Sequence, residues 1–185
     1  MMRLVLAAAA AAALAATPAL AALATGAVAP DFTTRGATAG KISSFHLKEA
    51  LKKGPVVLYF FPAAFTPGCS AEARAFAQAI PDFQKAGATV VGMSADPVEV
   101  LADFSNKDCA GQFMVASAGP AVVAGYDVAL SRPAAGSAPA RTITKRTSYV
   151  IAPDGRVTFV HDDMNPAEHV RLTLEAVRRI KPARG

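Results

Sequence analysis

The chain has little with which to hold a metal, a nucleotide or a disulfide framework. It carries two cysteines and three histidines in 185 residues. His46, His161 and His169 stand apart from one another, and no His, Cys and carboxylate group falls at metal-ligand spacing. The glycines are scattered, with none of the Gly-rich strand–helix junctions that cradle phosphate. There is no Cys-x-x-Cys either, because Glu72 stands where a dithiol pair would need its second sulfur. The net charge of +5 is spread over Lys52-Lys53, Lys145-Arg146 and Arg178-Arg179-Lys181, not gathered on one face among stacking aromatics. That argues against a nucleic-acid partner. The basic run Arg178–Arg184 reads as a solvated tail that suits a helix C-terminus. No internal repeat is found.

What is present begins with an N-terminal address. Arg3 precedes an alanine- and leucine-rich run from Leu4 to Ala16, followed by Thr17-Pro18-Ala19-Leu20-Ala21. A basic residue, a short apolar stretch and an Ala-x-Ala site have the form of a secretory signal peptide. The apolar stretch is short for a membrane span of about 20 residues. Cleavage after Ala21 or Ala24 is expected, so residues 1–24 are assigned to the removed peptide and 25–185 to one domain. Cleavage removes Arg3 and no acid, which lowers the net charge from +5 to +4. No later segment is long and apolar enough to cross a membrane, and the mature protein is expected to be exported, to a bacterial periplasm. In such an oxidising compartment a structural Cys69–Cys109 disulfide is the plain competitor to a reactive thiol.

Along the domain, residues 24–30 read as an extended lead-in, and Lys41 to Lys53 as a small strand or turn followed by a helical stretch around Leu47–Leu51. Val56 to Phe61 is a continuous apolar strand, the pattern of a sheet covered on both faces. A helix from near Pro67 to Lys85 follows, with Ala75, Phe76, Ala79, Ile80 and Phe83 on one stripe and Pro81 as a potential kink. Thr89–Ser94 is a second core strand, Ala95-Asp96-Pro97 opens another helix, Phe113–Ala116 is a third strand, and Ala121–Tyr126 a brief helix. Residues 131–141, rich in Pro, Ala, Gly and Ser, read as a loop. Thr147–Ala152 and Arg156–His161 flank Pro153-Asp154-Gly155, a hairpin signal. Asn165, Pro166 and Glu168 supply an N-cap, an N1 proline and an N3 glutamate for the last helix. His161-Asp162-Asp163 reads as a strand exit. The order predicts an α/β fold with a mixed central sheet flanked by helices.

The most informative stretch is Phe61-Pro62-Ala63-Ala64-Phe65-Thr66-Pro67-Gly68-Cys69-Ser70-Ala71-Glu72. A buried strand ends at a proline, and Cys69 falls in the first turn of the next helix. Unpaired N–H groups and a partial positive charge at that end favour thiolate over thiol, and the thiolate is the nucleophile. The spacing of Pro62, Thr66 and Cys69 resembles the active-site signature of the peroxiredoxins. The fuller string resembles their bacterioferritin-comigratory (PrxQ) branch. The likeness extends over nearly all of the chain from about Ala29. Its opening Ala29-Pro30-Asp31-Phe32 and its strand Arg146-Thr147-Ser148-Tyr149 are supporting strings.

The resemblance implies a thioredoxin-like fold and a cofactor-free peroxidase that reduces hydrogen peroxide and small organic hydroperoxides. Cys69 is the nucleophile on this reading. Thr66 is placed to reach the sulfur or the peroxide, and its plainer role is helix N-cap. Pro62 shapes and shields the pocket, and Gly68 leaves backbone N–H groups approachable. Arg146 is chosen over Arg141 and Arg132 as the guanidinium that holds thiolate and peroxide together, with Glu72 orienting it. The product is a sulfenic acid, which a second thiol must resolve. Here the chain departs from many relatives: Arg74 stands five residues after Cys69, where a second cysteine is common, and residues 120–126 hold none. Cys109 is expected at the opposite edge of the sheet, too far for a bridge. A one-cysteine mechanism with a thioredoxin-like or small-thiol reductant follows, in a monomer or weak homodimer, with Cys109 structural. Rival readings are a thioredoxin-fold thiol oxidoreductase, a periplasmic binding or copper-handling module, and a cysteine hydrolase, which would need a histidine base beside the thiol.

Overall fold

In the computed structural model, residues 23–132 and 141–180 are described. Residues 1–22 of the assigned 1–24 signal segment, most of the 131–141 loop and the end of the basic tail therefore lie outside them. The strands are β1 (Thr33–Thr38), β2 (Lys41–His46), β3 (Val56–Phe60), β4 (Thr89–Ser94), β5 (Met114–Ser117), β6 (Ala129–Arg132), β7 (Arg141–Thr144), β8 (Thr147–Ile151) and β9 (Val157–Asp162). The helices are α1 (Leu47–Leu51), α2 (Pro67–Lys85), α3 (Val98–Lys107), α4 (Pro120–Gly125) and α5 (His169–Arg178), with a 3₁₀ turn at Pro166–Glu168. Seven strands form one mixed sheet in the order β2-β1-β5-β4-β3-β8-β9. β3, β4 and β5 are parallel, while β8 runs antiparallel to β3 with Phe60 opposite Thr147.

The continuous apolar run of β3 is explained by burial on both faces. Val56, Leu58 and Phe60 join Leu47, Leu51, Val122 and Tyr126 in one cluster. Val57, Tyr59 and Phe61 join Phe76, Phe83, Leu101, Phe104 and Val177 in the other, as the alternation of strand side chains requires. The second cluster lies under α2, α3 and α5 and contains both cysteines. Helix α2 runs through Pro81 without a break in its assignment.

Several expectations are corrected. Residues 131–141 are not simply a loop: Ala129–Arg132 and Arg141–Thr144 pair as a separate antiparallel ribbon, with register Leu130 opposite Ile143. β1, Thr-Thr-Arg-Gly-Ala-Thr, has almost no apolar periodicity and was not anticipated; it is held by pairing on both sides, with β2 and β5. Asn165 accepts from the N–H of Ala167 and so caps the 3₁₀ turn, after which α5 begins at His169. Glu168 reaches forward to Arg171 instead of back to the cap.

Candidate active site

Cys69 lies at the third position of α2, just past the C-terminal end of β3, and is 1% exposed. The first i→i−4 bond of this end runs from Ser70 N to Thr66 O, so the N–H groups of Gly68 and Cys69 precede the ladder. The loop that delivers them is strained and tied. Phe65 adopts φ +62°, an uncommon conformation for a residue with a Cβ. Its ring packs edge-on against Phe104 while remaining half-exposed. Ala64 N–H donates to Asp96 Oδ2 at 2.7 Å, and the same buried carboxylate accepts from Ser94 Oγ at 2.9 Å and meets Arg141 at 3.4 Å. Asp96 thus fastens the loop to β4 and to the β6–β7 ribbon. Asp96→Ala is expected to lower the unfolding free energy by about 2 kcal/mol, since it removes hydrogen bonds to a buried charge. Urea denaturation checks this, and an unchanged midpoint would mean the loop holds itself.

Thr66 does not cap α2 with its side chain. Its hydroxyl donates to Ala63 O at 3.0 Å. A local bond within the loop competes successfully with the cap because the loop turns back on itself at the strained Phe65. Pro62 lies half-buried, two residues beyond β3.

Arg146, immediately before β8, is brought next to Cys69 although 77 residues separate them. Its Nη2 donates to Cys69 Sγ at 3.5 Å, Nη1 donates to Glu72 Oε2 in a very short contact, and Nε donates to Met164 O at 2.9 Å. A Cβ at position 68 would lie 3.4 Å from Nη2, so the glycine keeps the approach to the guanidinium open. Burial works against the charge on Arg146, but Glu72 and the Cys69 sulfur outweigh it and hold the group protonated. Burial pushes the Glu72 carboxyl up to about 7, with Arg146 pulling the other way. Direct pairing with Arg146 favours the charged carboxylate above neutrality, with the carboxyl taking up a proton below it. Arg141, the alternative considered from sequence, is instead committed to Asp96.

Cys109 follows α3 and precedes β5, at the end of the sheet where the parallel strands begin, while Cys69 sits where β3 ends. Both cysteines are free. Cys109 is fully buried, and burial together with Asp108 pushes its thiol far above the ordinary range. Arg74 holds Asp108 at 2.5 Å, tying α2 to the end of α3.

Sequence reasoning missed a buried polar group behind Arg146. Set aside in the sequence as isolated, His161 and His169 pack with ring centroids 4.5 Å apart. His169 Nδ1 meets Ser148 Oγ at 2.8 Å and lies 3.8 Å from Glu72 Oε1. Tyr59, fully buried and stacked on Phe76, has a hydroxyl without a hydrogen-bond partner among the described residues. The one sequence signal for any of these is the polar pair Thr147-Ser148 opening a strand that continues as Tyr-Val-Ile.

Residues 25–160 match the model of the AhpC/TSA family. The chain is 31% identical over 157 residues to chloroplastic peroxiredoxin Q of Sedum lineare, covering 84% of this chain and 78% of that one. Its fold superposes on peroxidoxin BcpB of Mycobacterium tuberculosis with a TM-score of 0.72 at 30% identity, over 85% of this chain and 97% of that one. Xanthomonas campestris peroxiredoxin Q superposes with a TM-score of 0.65 at 26% identity, over 78% and 89%. The chain therefore belongs to the AhpC/TSA family, in its peroxiredoxin Q/Bcp branch, with the thioredoxin-like fold of its neighbours. It is a thiol peroxidase, an oxidoreductase whose substrate is a peroxide and whose electrons come from a thiol. Among the described residues no helix is long and apolar enough to cross a membrane.

Proposed function

We propose that Cys69 reduces hydrogen peroxide and small organic hydroperoxides by a one-cysteine cycle, in an exported protein whose reductant is a thioredoxin-like or small external thiol. The observation that carries this is the guanidinium of Arg146 at 3.5 Å from a sulfur held in the first turn of a helix. The Cys69 thiolate attacks one peroxide oxygen, an S–O bond forms and the O–O bond breaks. The sulfur is oxidised to a sulfenate and the other oxygen leaves as alkoxide or hydroxide, which takes up a proton. Arg146 stabilises charge on the sulfur at the start and on the oxygens as they separate. Thr66 has its proton committed to Ala63 O, so its lone pairs are the part available to accept from the peroxide O–H. Pro62 closes the pocket beside them, and Glu72 orients the arginine. The sulfenic acid then condenses with an external thiol to release water, and a second thiol restores Cys69.

Cys109 stays out of this cycle. Its buried, hard-to-ionise thiol and its place at the far end of the sheet favour a structural role. One equivalent of peroxide added to the reduced protein is expected to leave Cys69 as a sulfenic acid that dimedone captures, with Cys109 unmodified. Non-reducing mass spectrometry that found a 69–109 disulfide would overturn the one-cysteine reading while leaving peroxidase activity intact. The proposed state is a monomer or weak homodimer.

A further inference from the structure

Arg146 is gripped from behind by a turn. Met164 O accepts from its Nε at 2.9 Å, and Asp163 N–H donates to its carbonyl at 3.2 Å. That turn is itself anchored: His169 Nε2 lies 2.9 Å from Asp163 O. A carbonyl can only accept, so Nε2 carries a proton. Burial holds the imidazole neutral, with its value lowered to about 4. Nδ1 is then an acceptor, and Ser148 Oγ–H must donate to it at 2.8 Å. The same nitrogen faces Glu72 Oε1 at 3.8 Å, and this carboxylate oxygen has no hydrogen-bond partner among the described residues. The groups facing the ring are Glu72 from α2, Arg146 just before β8, Ser148 from β8, His161 from β9 and Asp163 from the turn.

We propose that His169 is a positioning residue for peroxide reduction: held in one tautomer by Ser148, it anchors the Asp163–Met164 turn and backs Glu72, and so fixes the Arg146 guanidinium against Cys69. This rests on the roles proposed above for Cys69 and Arg146. The mechanism is geometric. Arg146 has three partners arranged around it, and two of them, Glu72 and Met164 O, border or hang from His169. Without the imidazole the turn is free to withdraw Met164 O, and Glu72 loses the wall that keeps Oε2 directed at the guanidinium. Neutrality matters as well. An imidazolium here would compete with Arg146 for Glu72 and pull the carboxylate toward itself.

The test uses the full protein and three variants: His169→Ala, His169→Gln and Ser148→Ala. Two readouts are taken, the second-order rate of sulfenate formation and the pH profile of Cys69 alkylation. His169→Ala is expected to slow the peroxide step on the order of tenfold to hundredfold, the loss that follows from misplacing a reacting group by about 1 Å. The pH at which Cys69 becomes reactive should rise in parallel. His169→Gln keeps an N–H for Asp163 O and should recover most of the rate, with Ser148→Ala between the two. A role confined to folding would lower stability without moving the pH profile of the folded protein. If His169→Ala fails to fold, Ser148→Ala decides, because it removes only a hydroxyl. Wild-type rate and pH profile in folded His169→Ala, or in Ser148→Ala when that alone can be read, overturn the proposal. A wild-type protein that does not reduce peroxide would sink the functional reading instead, and the alkylation profile would still report on the guanidinium.

Discussion

Peroxide consumption is expected to fall to background in Cys69→Ser and by two to three orders of magnitude in Arg146→Ala. The first loss is one of chemistry. A buried serine hydroxyl in that helix turn stays protonated and has no histidine beside it in the contacts of the site to take its proton. The substitution is nearly isosteric, so the fold should survive. The second loss has a different origin. Removing one preorganised donor from a water-poor site costs about 10²–10³ in rate, and Arg146 is the group that touches the sulfur. Its removal also leaves Glu72 buried with no counter-charge, a situation that costs about 3–5 kcal/mol when the carboxylate stays ionised. Protonation of Glu72 relieves part of that. The double variant Arg146→Ala/Glu72→Gln is therefore expected to be more stable than Arg146→Ala and no more active. Arg146→Lys should recover little, because an ammonium cannot reach Glu72, Met164 O and the sulfur from one fixed plane. Competition kinetics against a reporter peroxidase and urea midpoints separate the two effects. Near-wild-type turnover in Cys69→Ser would remove the basis of the mechanism, and in Arg146→Ala would remove the arginine from it.

The residues that touch one another through local sequence were legible before the structure. The strand–loop–helix around Cys69 is written in an apolar run, a terminating proline and a first-turn cysteine, and α2 follows over Pro67–Lys85 as expected. Arg146 beside the sulfur was reached through the family likeness, since a basic pair before a strand is surface charge by default. The failures share a cause, which is that long-range partners decided the outcome. β1 carries no hydrophobic alternation and exists because β2 and β5 pair with it. The β6–β7 ribbon sits at the two ends of a Pro- and Gly-rich stretch whose composition reads as loop. Thr66 has the residue type and position of a helix cap, yet its hydroxyl bonds Ala63 O. Three separate elements, α2, β8 and α5, supply Glu72, Ser148 and His169, and no spacing along the chain announces their meeting.

Glu72 and His169 should give folding stability two large pH dependences of opposite sign, which single substitutions will separate. Glu72 is raised in the folded state by burial, to about 7 from 4.5. The native state thus holds that proton more tightly than the unfolded chain. The resulting stabilisation is full below about 4.5 and is lost as pH rises through about 7. His169 is lowered by burial, to about 4 from 6.5. The native state prefers the neutral ring, so this contribution is full above about 6.5 and is lost as pH falls through about 4. Each is worth roughly 3 kcal/mol by the relation between proton affinity and free energy. Over the shared window they oppose each other, and the wild-type curve should be comparatively flat there. Glu72→Gln leaves the histidine alone, so its unfolding free energy is expected to fall on acidification from about 6.5 to 4. His169→Gln leaves the carboxyl alone, and its unfolding free energy is expected to fall as pH rises from about 4.5 to 7. Urea unfolding across this range decides the matter, because slopes of the same sign in the two variants would mean that Glu72 and His169 are not the opposed pair their burial implies. Opposed slopes would show that burial holds the ring neutral and the carboxyl protonated over the shared interval, two effects that offset each other beside one guanidinium.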